Sequence, residues 1–378
     1  MTVVSKEAAA AVPVSYARRK AESPDARLQL LVVDDSAVMR QAMIALCKPF
    51  RDIDVRVASD PLFAQAKMRE VRPDVILLDI EMPRMDGLTF LRKLMAEDPI
   101  PVVICSALAG KGTETALRAL EEGAVEIVTK PRIALHDFLS ESTEMLVESI
   151  RAAAHARCRR EPRMPIAVRN SPDVILRAAR PTLARTTRKV VAIGASTGGT
   201  EALREILEAM PPDAPGIVIV QHMPEVFTAA FAQRLNQTCR IEVKEAADGD
   251  RILDGRALIA PGNQHVLVRR DGAEYRVQLD GGPLVSRHRP SVDVLFRSVA
   301  QAAGANAIGV ILTGMGNDGA TGLLEMREAG AVTFAQDEAS CAVFGMPREA
   351  IVRGAAQAVH PLAHMSAAIL NANERLRG

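Results

Sequence analysis

Three residues in the second half of the chain have the types and positions needed for nucleophilic catalysis. Ser196, His222 and Asp318 each follow a short apolar run rich in β-branched residues, and Ser196 lies in a GxSxG turn between Gly194 and Gly198. A serine hydroxyl becomes a nucleophile when an imidazole takes its proton, and a carboxylate fixes the tautomer of that imidazole. The carboxyl ends of parallel strands lie at one edge of a sheet. The pattern therefore predicts a Ser-His-Asp triad.

The surrounding glycine-rich turns suggest where the negative charge of a tetrahedral intermediate is held. Backbone N–H groups around Thr197 and Met315 are candidate donors, and Gly314 and Gly316 allow close approach of the backbone. The chain order Ser, His, Asp differs from the order in α/β-hydrolases, which excludes that fold. A second interpretation stays open, in which the turn after Val190–Ile193 holds a nucleotide phosphate at a helix N-terminus.

A second group of polar residues occupies strand ends in the first half of the chain. Its members are Asp34, Asp35, Asp79, Ser106 and Lys130. Carboxylates that share one edge repel each other unless a cation lies among them, and hard oxygen ligands suit Mg²⁺. The lysine and the hydroxyl then hold the oxygens of a phosphoryl group carried by Asp79. This group predicts a magnesium-dependent acyl-phosphate site.

Regular alternation of strand-like and helix-like segments predicts how these residues are positioned. Both halves are predicted to be α/β, each a doubly wound parallel sheet. The four strand-like pieces at 241–246, 257–262, 265–270 and 275–279 predict a small antiparallel excursion in the second half. The predicted division is a disordered extension over 1–27, a first domain over 28–148, an Arg/Pro-rich linker over 149–187 and a second domain over 188–376.

Composition narrows the classes of function. The net charge is +1, tryptophan is absent, and no helix-turn-helix pattern follows the first domain, so a nucleic-acid partner is not expected. The basic segment 149–187 leaves nucleic-acid or anionic-membrane contact only as a rival interpretation. Five scattered cysteines indicate a reducing compartment, and no apolar run approaches the roughly 18 residues of a membrane span. We therefore expect a cytoplasmic protein without membrane insertion.

Residues 28 to about 148 resemble a response-regulator receiver domain. The resemblance rests on the DD pair, LLDIEMPRMDG, the serine after PVVIC and the lysine of TKP. It implies a flavodoxin-like fold and phosphorylation of Asp79 by a histidine kinase, with Mg²⁺ held by Asp34, Asp35 and Asp79. Ser106 and Lys130 support the phosphorylation site. Ile127 departs from the pattern, because receivers often carry an aromatic switch residue there.

Receiver and triad domain together resemble the chemotaxis-receptor methylesterases, the protein-glutamate methylesterases. The motifs are GASTGGTEAL, QHMP, APG, RPSVDVLF, LTGMGNDGA and MPREA. The resemblance implies a Rossmann-like catalytic domain, with a receiver that packs over the Ser196 edge until phosphorylation loosens it. Glutamate methyl esters on methyl-accepting chemoreceptors are hydrolysed to methanol, and receptor glutamines are deamidated.

The same resemblance assigns the roles of the site residues. Ser196 is the nucleophile, His222 the base and acid, and Asp318 the orienting carboxylate. Met315 supplies an oxyanion N–H with Thr197 beside it, and the catalytic domain needs no metal. We expect a monomer. The alternative is a response regulator with a nucleotide-binding output module. Three further histidines of the second half, His265, His288 and His360, are predicted to be surface or core residues.

Overall fold

The protein is described by a computed structural model covering residues 26–82, 87–106, 111–130, 139–156 and 189–377. The predicted disordered extension, apart from residues 26 and 27, lies outside the described residues. The same holds for the predicted linker from residue 157 onwards. Both assignments therefore stay predictions.

The first half forms a five-stranded parallel sheet of strand order β2-β1-β3-β4-β5. The strands are β1 Leu28–Val33, β2 Ile53–Ala58, β3 Val75–Leu78, β4 Val102–Ser106 and β5 Glu126–Thr129. The helices are α1 Ala37–Cys47, α2 Pro61–Glu70, α3 Gly87–Glu97, α4 Lys111–Glu121 and α5 Leu139–Ala154. Strands β3 and β4 are buried along their whole length, as expected for a sheet covered by helices on both faces.

Local sequence explains where the helices of this half begin and end. The Ser36 side chain accepts the Met39 N–H at the start of α1, and Asp60 caps α2 ahead of Pro61. Helix α5 continues to Ala154, past residue 148 at which the first domain was predicted to end. Its last turn packs on this half, because Arg151 forms an ion pair with Asp52 at 2.8 Å.

The second half forms a seven-stranded parallel sheet of order β14-β13-β12-β6-β7-β9-β8. Its strands are β6 Val190–Ala195, β7 Gly216–Gln221, β8 Glu242–Glu245, β9 Arg256–Ile259, β12 Ala307–Ile311, β13 Val332–Gln336 and β14 Ala358–His360. The helices are α6 Gly199–Glu208, α7 Glu225–Thr238, α8 Val292–Ala303, α9 Ala320–Glu328, α10 Met346–Val352 and α11 Leu362–Arg377. Two parallel-sheet α/β domains, as predicted, therefore make up the described part of the chain.

The antiparallel excursion is smaller than the four predicted pieces. Only β10 His265–Asp271 and β11 Glu274–Asp280 pair antiparallel, whereas β8 and β9 pair parallel within the main sheet. Assigning all four pieces to the excursion was wrong for the first two. The physical reason is burial: Ala257, Leu258 and Ile259 are fully buried, which is typical of an inner parallel strand.

An apolar contact joins the two halves. Leu117 and Leu120 of α4 line one pocket together with Phe231 and Leu235 of α7. Leu117, Phe231 and Leu235 also belong to a continuous hydrophobic cluster that contains residues of both sheets. In addition, Arg234 of α7 forms a two-pronged ion pair with Glu121 of α4. The two domains therefore meet through an apolar interface bordered by this ion pair. Among the described helices, none is long and apolar enough to cross a membrane.

Candidate functional site

Ser196 lies directly after β6, on a turn whose backbone is held from three directions. Its N–H donates to the Thr313 carbonyl at 3.0 Å, and its carbonyl accepts from Gly199 N–H at 2.7 Å and from Gln221 Nε2 at 2.9 Å. Gly198 has a φ of 76°, and a Cβ there would lie 2.4 Å from the Cβ of Ala342. The second glycine of GxSxG is thus required by both conformation and space.

His222 follows the neighbouring strand β7, in register with Ser196. Ala195 and Gln221 are paired across β6 and β7, so the residues after them leave the sheet side by side. Asp318 lies in the turn between β12 and α9, and β12 pairs with β6 on its other side. The three adjacent strands β12, β6 and β7 therefore carry the predicted triad residues to one edge of the sheet.

His222 and Asp318 are in direct contact. His222 Nε2 lies 2.9 Å from Asp318 Oδ2, and both side chains are almost completely buried. Asp318 also accepts from Ser291 Oγ at 2.8 Å and from the backbone N–H groups of Val292 at 2.7 Å and Asp293 at 3.0 Å. Burial raises the pKa of Asp318, but the His222 bond and these N–H donors outweigh it and lower the pKa to about 2.

This geometry determines the protonation of His222. Because Asp318 is ionised and only accepts, His222 Nε2 must carry the hydrogen, and Nδ1 keeps its lone pair. His222 Nδ1 is buried and has no hydrogen-bond partner in the described part of the chain. Within those residues Ser196 Oγ also has no hydrogen-bond partner. Nδ1 is therefore the basic atom available to a serine proton.

Two backbone N–H groups beside Ser196 are free to bind an oxyanion. The N–H groups of Thr197 and Met315 make no hydrogen bond to any residue in the described ranges. Gly314 brings the Met315 turn against the serine, because a Cβ at Gly314 would lie only 2.7 Å from the Cβ of Ser196. The Thr197 carbonyl accepts from Thr313 Oγ1 at 2.9 Å, which braces its peptide. Both predicted donors therefore remain candidates.

One residue of this site was not predicted from the sequence. The His288 ring stacks on the His222 ring with 3.7 Å between centroids and 5° between planes. Burial, reinforced by the neighbouring His222, lowers the pKa of His288 to about 3. A single histidine in SRHRPSVDV gives no pattern that separates a functional residue from a structural one. The one available signal was its position three residues before Ser291, whose hydroxyl donates to Asp318.

The nitrogens of His222 and His288 and an oxygen of Asp318 lie within 4.8 Å of one another, a spacing compatible with metal ligands. The orientation argues for another role. Lone pairs of an imidazole lie in its ring plane, and two parallel planes do not direct them at one ion. His222 Nε2 is also bonded to Asp318. The arrangement suits proton exchange better than metal binding.

The receiver-like half contains the second predicted cluster. Carboxylate oxygens of Asp34, Asp35 and Asp79 lie within 4.8 Å of one another. Lys130 Nζ contacts Asp79 Oδ2 at 2.7 Å and Asp34 Oδ2 at 3.0 Å. Burial raises the pKa of Asp34, and the hydrogen bond from Lys130 offsets this only in part. A divalent cation would relieve the same penalty, so the donor set fits Mg²⁺.

Two further predictions for this half concern β4 and β5. Ser106 is buried at the end of β4, and its carbonyl accepts the Lys130 N–H at 2.9 Å, so both residues lie at the cluster's edge of the sheet. Ile127 is buried within β5 as part of the hydrophobic cluster.

The receiver-like half contacts the turn that carries Ser196. Thr197 Oγ1 donates to Glu126 Oε2 at 2.9 Å, and Gly198 N–H donates to the Val125 carbonyl at 3.4 Å. The other carboxylate oxygen of Glu126 accepts from Ser149 Oγ at 3.1 Å. Burial raises the pKa of Glu126 despite these two hydrogen bonds. Sequence patterns gave no sign of this contact, since Glu126 reads as an ordinary strand residue.

Comparison with known proteins places both halves. Residues 191–369 match the family model for CheB methylesterase, and residues 30–139 match that for the response regulator receiver domain. Protein-glutamate methylesterase/protein-glutamine glutaminase 3 of Geobacter metallireducens is 60% identical over 89% of this chain and 96% of its own length. Protein-glutamate methylesterase/protein-glutamine glutaminase 2 of Pseudomonas syringae pv. tomato is 57% identical over 92% of this chain and 99% of its own length. Among solved structures, the crystal structure of the Thermotoga maritima CheB methylesterase catalytic domain has 38% sequence identity to this chain. The match covers 48% of this chain and 97% of that domain, with a TM-score of 0.48.

Proposed function

This chain belongs to the CheB methylesterase family, and from that premise we propose that it hydrolyses glutamate methyl esters on chemoreceptors under the control of its receiver domain. Receptor glutamines are a second substrate, because an amide presents the same acyl carbon to the nucleophile. The enzyme acts in the cytoplasm on methyl-accepting receptor helices and receives its phosphoryl group from a histidine kinase. It works in chemotaxis adaptation, as a monomer.

The observation that carries the proposal is the bond between His222 and Asp318, which leaves Nδ1 as an unpartnered base. In the first step Ser196 Oγ attacks the ester carbonyl while Nδ1 takes its proton. The N–H groups of Thr197 and Met315 stabilise the oxyanion, and one such donor is typically worth about 10²–10³ in rate. Nδ1 then returns the proton to the leaving methanol.

The second half of the reaction repeats the same transfers with water. Nδ1 takes a proton from water, which attacks the acyl-enzyme carbonyl, and the proton passes to Ser196 Oγ as the C–O bond breaks. The product is a glutamate carboxylate. With a glutamine substrate the first leaving group is ammonia instead of methanol. Asp318 stays ionised throughout and stabilises the imidazolium that forms twice in each cycle.

The nucleotide-binding alternative has less support from the turn after β6. A phosphate cradle needs several free backbone N–H groups at a helix N-terminus. Here Ser196 N–H, Gly198 N–H and Gly199 N–H already donate to carbonyl oxygens. Such a cradle also gives no reason for the buried His222–Asp318 pair.

Control by the receiver is supported by the cluster around Asp79 and by the contact at Thr197. Asp79 accepts the phosphoryl group, with Lys130 and Ser106 positioned to bind its oxygens. Asp34, Asp35 and Asp79 would hold Mg²⁺, which when bound offsets the charge of the phosphoryl oxygens. Before phosphorylation, Glu126 and Val125 occupy donors on Thr197 and Gly198 and cover the turn. Phosphorylation shifts the population toward an open arrangement.

Methanol release from methylated receptor membranes by the full chain tests the proposal. The assay is run with and without Mg²⁺ and a small phosphodonor, and with Ser196→Ala as the matched control. We expect release that the phosphodonor stimulates and that Ser196→Ala abolishes. Undiminished release by Ser196→Ala would overturn the triad, and release that the phosphodonor does not stimulate would overturn the control by Asp79.

A further inference from the structure

We propose that His288 is a positioning residue, a neutral ring that fixes the plane of the His222 imidazole and stabilises its protonated form by stacking. This inference rests on the proposed serine chemistry and deepens it. The stack has 3.7 Å between centroids and 5° between planes, which is full face-to-face overlap of two rings.

The need for such a ring follows from how His222 is held. One hydrogen bond from Nε2 to Asp318 holds one edge of the imidazole and still lets the ring tilt about its Cβ–Cγ bond. Nδ1 has no partner of its own in the described residues. A flat neighbour parallel to the ring removes the remaining freedom and keeps Nδ1 in the plane where it exchanges protons with Ser196.

Hydrogen bonding determines the tautomer of His288. Its Nδ1 lies 2.7 Å from the Ser286 carbonyl, which only accepts, so Nδ1 carries the hydrogen. The charged groups that act on the ring are His222, Asp318 and Arg287. Burial and the first of these lower the pKa of His288 to about 3, so it stays neutral near pH 7. A neutral aromatic face attracts the His222 cation, whereas a second cation would repel it.

The chain holds His288 in place with a strained turn. Val285 and His288 exchange two backbone hydrogen bonds, at 3.1 and 2.9 Å, around Ser286 and Arg287. These two central residues have φ values of 52° and 67°, a left-handed conformation that non-glycine residues rarely adopt. Such a strained backbone is kept only where surrounding contacts hold it in place, and strained residues of this kind are common at functional sites.

The same segment links the stack to Asp318. Three residues after His288, Ser291 Oγ donates to Asp318 Oδ1, and the Val292 N–H donates to Oδ2. The segment from His288 to Val292 therefore positions both neighbours of His222: Asp318, which contacts the edge of the imidazole, and His288, which stacks on its face. His288 itself has no carboxylate partner in the described residues and is not placed as a second base.

The test measures how fast a fluorophosphonate probe labels Ser196 in the full chain, from pH 5 to pH 9. Labelling forms an Oγ–P bond, expels fluoride and transfers the serine proton to His222, so it needs the activated serine but no receptor. The variants are His288→Ala, His288→Phe and His288→Arg. His360→Ala is the matched control, because His360 lies on β14 against Phe334 and away from the triad.

We expect His288→Ala to lower the labelling rate by about 10–100-fold, within the range of general-base effects. His288→Phe keeps a neutral flat ring and should restore the rate to within about 3-fold of the natural chain. His288→Arg keeps a flat group but adds a permanent charge. It should label slowly, with the acid limb of its pH profile moved to lower pH by about one unit or more.

Natural rates and pH profiles in His288→Ala and His288→Arg would overturn the inference. So would His288→Phe labelling as slowly as His288→Ala while melting at the natural temperature, since a ring nitrogen would then be essential. If the natural chain labels with the probe but releases no methanol, the proposed substrate fails and the role of His288 is still measured. Absence of labelling in the natural chain would overturn both.

Discussion

Two buried carboxylates, Asp318 and Asp79, lie at the carboxyl edges of the two parallel sheets and have opposite surroundings. Asp318 accepts four hydrogen bonds, from His222, Ser291 and two backbone N–H groups, and its pKa falls to about 2. Asp79 accepts from Lys130 and from the Glu81 N–H, and lies beside two further carboxylates. The first carboxylate has both oxygens fully hydrogen-bonded, whereas the second has fewer donors and lies among like charges.

The number of donors around each buried carboxylate fits the proposed roles, an orienting one for Asp318 and a reactive one for Asp79. A saturated oxygen has no lone pair left for a new bond, so Asp318 can act only through His222. The cluster around Asp79 carries three acids against one amine, a balance that a divalent cation and a phosphoryl group would change. We expect the effects on rate to run from the largest at Ser196 to the smallest at Glu126, and an effect on stability at Asp318.

Replacing the proposed nucleophile tests the site around Asp318 most directly. Ser196→Ala should lower methanol release by at least about 10⁴-fold, because it removes the hydroxyl proposed to attack the ester. Phosphorylation of Asp79 by a small phosphodonor should be unchanged, which is followed by radiolabel incorporation. A loss of both activities would indicate a folding defect, so the melting temperature is measured alongside.

Asp318→Asn removes the charge and keeps the size of the orienting group. An amide nitrogen facing His222 Nε2 or the Val292 N–H would set donor against donor and favour the wrong imidazole tautomer. We expect methanol release to fall by about 10³–10⁴-fold. The exposed Asp271→Asn, which removes only a surface pair with Arg276, serves as the control. A decrease of less than about 10-fold in Asp318→Asn would contradict the orienting role.

Asp79→Asn tests the incomplete carboxylate. The variant should keep the unstimulated rate of methanol release, because Asp79 lies in the other domain from Ser196. The ratio of rates with and without phosphodonor should fall to about one, since the amide cannot accept a phosphoryl group. Stimulation that persists in Asp79→Asn would show that another residue receives the phosphoryl group.

Substitution of Glu126 should have a smaller effect on the rate of methanol release, through its contact with Thr197. Glu126→Ala removes the acceptor for Thr197 Oγ1 and should raise unstimulated methanol release by about 3–10-fold, as expected for the loss of one hydrogen bond. Glu126→Gln keeps an acceptor oxygen and should show a smaller rise. Glu70→Gln, which affects only a pair with Arg56 within the receiver, is the control. An unchanged rate in Glu126→Ala would remove this contact from the control mechanism.

The last prediction concerns stability in acid and not the rate of the reaction. The pKa of Asp318 is lowered from 3.8 to about 2 in the folded chain, so its ionised form stabilises the fold above pH 3.8. This contribution is lost as the pH falls through about 2 and amounts to about 2 kcal/mol. Between pH 5 and pH 2.5 the melting temperature should therefore fall more steeply in the natural chain than in Asp318→Asn. Parallel curves would contradict the lowered pKa.

The sheet edge at which a residue lies could be predicted for residues that directly follow a strand, because the end of a strand is visible in the local sequence. Alternating strands and helices imply parallel sheets, and in a parallel sheet every strand end lies at the same edge. Ser196, His222 and Asp79 could therefore be assigned to edges from the sequence alone. The membership of β8 and β9 in the main sheet could not, because short apolar runs of this length suit either kind of pairing.

The sequence by itself determined the order of elements, the two edges and the residue types that each edge carries. Only the tertiary structure decided which nitrogen of His222 contacts Asp318, that His288 stacks on this ring, and that Glu126 accepts from Thr197. Those facts join residues 66 and 71 positions apart in the chain, from His222 to His288 and from Glu126 to Thr197. Local periodicity carries no information on such pairs, since ring orientation and interdomain packing arise from contacts among elements and not within them.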